Sequence, residues 1–163
     1  MLELVKSNSQ ILHNPCKKFD FRNPQIYIAN FGKALVQMMY DKNCLGLAAP
    51  QVGYPYQVFA MRGSPENYVV INPKIVEHSE TQEYLEEGCA SYPGLIIKVK
   101  RYTWISARFS GPNGTTKTHR FEGLSSKVFQ HEADHLYGTT FFDRCGLLQK
   151  EQAIKKWNKL CKI

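Results

Sequence analysis

The sequence predicts an α+β fold on three observations. Several strand-like runs follow one another, a Gly-Pro-Asn-Gly turn joins two of them into a hairpin, and helical periodicity is confined to a few separate segments. The 163 residues, 43% hydrophobic and 21% charged, suffice for a single domain over 1–163 with a full-sized core.

The first helix is predicted over 24–41. Asn23 and Pro24 resemble an N-cap followed by proline at the first helical position, and Ile28, Phe31, Leu35, Met38 and Met39 then recur at helical spacing. Met38 and Met39 read as core filler. The next stretch, NCLGLAAPQVGYP, is expected to be a Gly/Pro-punctuated loop, although it is too apolar for ordinary solvent exposure. Strands are predicted over 57–61, 68–76, 81–86 and 96–110. The turn at 111–114 hands the last of these to a return strand over 115–121. A second helix begins after Gly123, with Gly138 suited to its C-terminal cap. A third is predicted over 148–161: Ile154, Trp157, Leu160 and Cys161 share one face, while Lys155, Lys156, Lys159 and Lys162 dominate the rest.

No apolar run approaches the roughly 18 residues of a membrane span, so no membrane association is expected. The N-terminal residues carry no pattern of an export or transit segment, which makes the cytoplasm the expected location. Five scattered cysteines, odd in number and without a CxxC pair, argue against a disulfide framework or a zinc knuckle and suit a reducing compartment. The net charge of +7 favours polyanionic neighbours without naming one.

The second helix carries FQHEADHLYG. At 100° per residue, Leu124, Val128, His131 and His135 form one stripe, which places both imidazoles on the side of the apolar residues, toward the interior. Glu132 flanks them. Histidines at i and i+4 can grip a metal while the adjacent carboxylate handles protons on the water it activates. The competing reading is a pair of hydrogen-bonded core histidines. The third ligand is the open point. In the longer HExxHxxGxxH signature it would be residue 141, which is Phe141, so that class fails on spacing. A later glutamate would have to be Glu151 or a near neighbour, in a basic helix where an ordinary surface role is expected. Upstream, EEGCASYPG places Cys89 in a small-residue turn that could present a thiol. A lone cysteine is usually a small buried hydrophobe. Beside HEADH, however, a Cys/His/His site would leave one tetrahedral position for water. The thiolate would also make the site sensitive to oxidation.

Three segments, CLGLAAPQ (44–51), EGCAS (87–91) and QHEADH (130–135), resemble in order the three signature motifs of the peptide deformylases. The likeness extends through VINPKIV, PGLIIKVKR and HLYGTTFFDR and covers roughly residues 10–143. It implies antiparallel sheets packed around a central HExxH helix. The implied activity is removal of formate from the N-formylmethionine of nascent bacterial or organellar polypeptides, a part of N-terminal methionine processing. By the same resemblance Cys89, His131 and His135 would hold one divalent ion, Fe²⁺ in vivo, with Zn²⁺, Ni²⁺ or Co²⁺ in preparations. Glu132 would carry the proton. The Gln51 amide and the Ala90 backbone N–H would hold the oxyanion. Leu45, Leu85, Leu124 and Val128 would line the methionine pocket, and the Gly46 backbone would pair with the extended peptide. In some members of that family a C-terminal helix helps docking at the ribosome, so the basic last helix is expected either to contact ribosomal RNA or simply to pack Trp157 on the domain with its lysines solvated; a monomer is the simplest expectation.

The chain departs from the family pattern at two positions. Cys44 stands where glycine is usual, which disfavours a positive φ there. Ala90 replaces a commonly larger residue, which keeps the backbone donor and makes the pocket wall roomier. Two other classes compete: a zinc peptidase using Glu151, and a metal-stabilised binding module acting on RNA through its basic surface. Against the second, no aromatic single-strand platform or helix-turn-helix pattern is present.

Overall fold

The computed structural model describes residues 2–161, and Lys162, expected on the basic face of the last helix, lies outside them. The first α-helix, α1, spans Ile28–Asp41 and buries Phe31, Leu35, Met38 and Met39 at the predicted spacing. It begins four residues later than Asn23-Pro24 suggests. The Asn23 carbonyl and side-chain oxygens accept from Gln25 Nε2 at 3.4 Å each, a local turn that occupies the expected cap.

The apolar stretch after α1 is more regular than expected. Gly46–Ala48 forms a short strand, β1, followed by a 3-10 helix over Ala49–Val52. Every residue of both is buried, so their backbone groups need internal partners, and β1 finds them by pairing with β2, Val58–Met61. The glycine and proline at its ends disguise this strand in the sequence.

Five antiparallel strands form the main sheet, in the order β1-β2-β3-β6-β7, where β3 is Tyr68–His78, β6 is Trp104–Ser110 and β7 is Thr116–Glu122. Between β3 and β6 the chain makes a separate two-stranded ribbon of β4, Gln82–Cys89, and β5, Tyr92–Tyr102. The strand predicted over 96–110 is therefore two strands, broken at Thr103. There the backbone N–H donates to the Ser79 hydroxyl at 2.9 Å and to the Thr81 carbonyl at 3.3 Å, tying down the crossing from ribbon to sheet.

Helix α2, Gly123–Leu136, touches strands of both sheets. Phe129, Ala133 and Leu136 enter the core with Phe59, Phe109 and Phe121, and the Phe59 and Phe129 rings meet edge to face at 5.0 Å. The helix ends at Tyr137, and Gly138 takes the left-handed conformation at φ 69°, as its position predicted. Both histidines of the stripe are buried as expected, but its N-terminal end differs: Leu124 is 53% exposed, and Leu124, Val128 and His131 line a cleft while Phe129, Ala133 and Leu136 make the core contact.

Helix α3, Leu147–Leu160, seats Trp157 edge to face on Tyr92 at 5.4 Å and buries Ala153. This seating rotates the buried stripe to Ala153, Trp157 and Leu160. Ile154 and Cys161, expected on it, are exposed, as are Lys155, Lys156 and Lys159. All five cysteines are free thiols. Among the described residues no helix is long and apolar enough to cross a membrane.

Candidate metal centre

The ladder between β4 and β5 shifts register between Gly88 and Cys89, so Cys89 pairs with Tyr92 across the Ala90-Ser91 turn. The thiol is thereby carried to the end of the ribbon, opposite the histidine stripe of α2. One donor atom each from Cys89, His131 and His135 lies within 4.8 Å of the others, and all three residues are buried. Cys89 Sγ is 3.4 Å from His135 Nε2. Glu151 is exposed on α3 and stands outside this cluster.

Of the two imidazoles, His131 is oriented by a carboxylate. His131 Nδ1 lies 2.8 Å from Glu87 Oε2, which leaves its Nε2 for the centre. Glu87 is gripped bidentately by Arg101, at 2.7 Å through Nε and 3.0 Å through Nη2. The same guanidinium donates through Nη1 to Asp134 at 2.6 Å, and Arg144 Nε reaches Asp134 at 3.0 Å from the far side. This chain of charges is absent from the sequence reading. Glu87 alone had a signal, since it sits two residues before Cys89 in a strand and so shares its face.

The electrostatics suit a cation. Burial disfavours a charged His131, yet the hydrogen bonds its protonated ring donates to Cys89 and Glu87 outweigh it and raise its pKa well above the usual value. The surroundings that hold a proton there would hold a metal ion in its place. Burial, with the positive charge of His131 and Arg101, lowers His135 well below its ordinary value and keeps that imidazole neutral, as ligation requires. Burial would raise Glu87, but hydrogen bonds from His131 and Arg101 bring it down to about 2. Glu132 has no such partner. Burial pushes it up to about 7; His131 and Arg101 work against that rise, and the carboxylates of Glu87 and Asp134 add to it. Its Oε2 is buried without a hydrogen bond, as is His135 Nδ1. An orphaned carboxylate beside one sulfur and two imidazoles fits a group that would complete the site.

Gln51 is locked in place on the other side. Its Oε1 accepts from the Ala48 N–H at 2.8 Å, while Nε2 donates to Ser91 Oγ at 3.0 Å and approaches Cys89 Sγ at 3.5 Å. Leu45, Gly46, Leu85, Leu124 and Val128 all line one open cleft of about 610 Å³, with Cys89, Ala90, His131 and Glu132 at its base. A Cβ on Gly46 would fall 2.5 Å from Glu132 Oε1, so the β1 backbone packs directly against that carboxylate. Cys44 also lines the cleft; burial, then the Glu132 charge, pushes its thiol up to about 11. The left-handed turn beside it is taken by Asn43, at φ 50°, so position 44 does not require glycine.

An α+β fold that gathers a thiol, two imidazoles and a buried glutamate beside an open cleft is the framework of a metallohydrolase. The polypeptide deformylase family model matches residues 1–151, and the chain belongs to that family. A peptide deformylase of Aquifex aeolicus is 34% identical over 166 aligned residues, covering 98% of this chain and 96% of the relative. One from Brucella suis is 32% identical, covering 90% and 83%. Among solved structures, peptide deformylase from Plasmodium falciparum superposes with a TM-score of 0.88 at 30% identity, over 98% of this chain and 95% of that one. The Synechococcus elongatus enzyme, solved in complex with actinonin, gives 0.87 at 31% identity, over 96% and 86%.

Proposed function

We propose that the chain, acting as one catalytic domain, removes the formyl group from the N-formylmethionine of nascent polypeptides and releases formate. The observation that carries this reading is the convergence of Cys89, His131 and His135 beside the partnerless buried Glu132 at the base of a peptide-sized cleft. When bound by those three residues, a divalent cation supplies Lewis acidity and lowers the pKa of a water in the open position.

The remaining work falls to the chain. Glu132 takes the proton from the attacking water and passes it to the departing amine, since its free Oε2 faces no competing partner. Charge developing on the formyl oxygen meets the Gln51 amide and the Ala90 backbone N–H. The amide is held rigid by Ala48 and Ser91 before substrate arrives. Leu45, Leu85, Leu124 and Val128 give the methionine side chain an apolar seat, and Gly46 offers backbone to an extended peptide.

The reading takes Fe²⁺ as the ion in vivo from the resemblance to the family; one thiolate with two imidazoles accommodates it and fits Zn²⁺, Ni²⁺ and Co²⁺ as well. It places the protein in the cytoplasm as a monomer, reaching ribosomal RNA through Lys155, Lys156 and Lys159 on the outer face of α3. Reversing those three charges should abolish ribosome cosedimentation at low salt; unchanged cosedimentation would sink that part. For the reaction, formate release from an N-formylmethionyl peptide is measured alongside metal content in wild type and Cys89→Ala. The wild type should turn over and the variant should lose both metal and turnover. A variant that kept its metal would point to a different third ligand.

A further inference from the structure

The cleft wall that carries Leu45 and Gly46 is held by a residue outside the catalytic set. We infer that Arg62, at the end of β2, is a positioning residue for peptide binding. Its backbone N–H donates to the Leu45 carbonyl at 2.9 Å, its Nε donates to the Cys44 carbonyl at 2.9 Å, and its Nη2 reaches Asn43 Oδ1 at 3.4 Å. One residue thus satisfies an oxygen on each of three successive residues of the rim. The guanidinium rests over the Tyr40 ring, 4.7 Å from its centroid, and the Tyr40 hydroxyl donates to Asn67 at 3.1 Å. The clamp therefore ties the end of α1, the rim and the segment leading into β3 into one unit.

The rim needs such a clamp. Asn43 is held at φ 50°, a conformation that costs a non-glycine residue, and Cys44 brings a side chain to a position where glycine would have none. Leu45 is 43% exposed to the cleft, so little packing fixes it. Immediately after it, Gly46 passes so close to Glu132 that a methyl group would collide with the carboxylate. A loosened rim would have to be ordered by the incoming peptide, and that ordering appears as weaker binding.

This inference rests on the deformylase reading, and its test separates the two. Arg62→Met keeps the stem and removes the fork; Arg62→Lys keeps charge without the planar donor set. For hydrolysis of an N-formylmethionyl tripeptide, Arg62→Met should raise KM by roughly tenfold with kcat within about twofold, the signature of lost ground-state binding. Metal content should be unchanged, Arg62→Lys should fall between the two, and hydrogen exchange at the amides of 43–46 should accelerate. Unchanged KM and unchanged exchange in Arg62→Met would overturn the inference, and so would a fall in kcat at constant KM. If metal-loaded wild type released no formate, the deformylase reading would fall and this role with it, whereas faster exchange would still register the clamp.

Discussion

Glu87 Oε2 lies 2.8 Å from His131 Nδ1, and this contact couples a metal-ligand candidate to a buried ion network that reaches Arg144. A carboxylate on the far nitrogen fixes the tautomer and ring direction of a ligating histidine and raises its basicity. Glu87→Gln should therefore weaken metal retention roughly 10–100-fold. Competition of the loaded protein against a chelator measures it, and retention equal to wild type would remove Glu87 from the centre.

Arg101 is the shared counter-ion of Glu87 and Asp134, with a side chain only 4% exposed. Removing it takes the shared cation from two buried carboxylates, leaving Glu87 with His131 and Asp134 with Arg144. Arg101→Met should cost about 3–5 kcal/mol of stability, the range for breaking a buried pair from one side. Urea unfolding of the metal-loaded protein reads this directly, and a loss under about 1 kcal/mol would show that the network is solvated in practice.

Gly46 touches Glu132 without a side chain of its own, and an added Cβ would lie 2.6 Å from Glu132 Cγ. Gly46→Ala should push the carboxylate aside while leaving Cys89, His131 and His135 untouched. The expected outcome is full metal content with turnover reduced roughly a hundredfold, as displacements near 1 Å cost in reacting geometry. Normal turnover would mean that the glutamate tolerates the shift.

Asp143 bears on acid stability away from the centre. Burial would raise its pKa, but the Thr140 backbone N–H and the Lys150 ammonium hold it below the usual value. A depressed folded-state pKa adds stability above the unfolded value of about 4, lost as pH falls toward the folded one. The stability gap between wild type and Asp143→Asn should shrink as pH is lowered below about 4. A gap that stayed constant with pH would assign it to the hydrogen bonds alone.

The parts legible in the sequence are those written contiguously. HEADH places both imidazoles on one stripe by helical geometry alone, and the small residues around Cys89 foretell the turn that carries it. Phe31, Leu35 and Met38 likewise reveal their helix through spacing. What escaped arises from groups distant in sequence. The break at Thr103 depends on the Ser79 hydroxyl, and the rotation of α3 depends on where Tyr92 receives Trp157. The same holds for Arg101, whose partners lie 14 and 33 residues away, and for Arg62, which acts on a rim 17 to 19 residues before it. Periodicity records which face a residue shares, and carries no record of the partner it meets across the fold.

The central claim is that Cys89, His131 and His135 hold the ion while Glu132 moves the proton. Formate release and metal content, measured on the same preparation of Glu132→Gln, test it most directly. The amide keeps the shape and loses the basicity, so the variant should bind a full complement of metal while turnover falls by about 10²–10⁴ or more. A variant that keeps its metal and still releases formate at a substantial fraction of the wild-type rate would contradict the account.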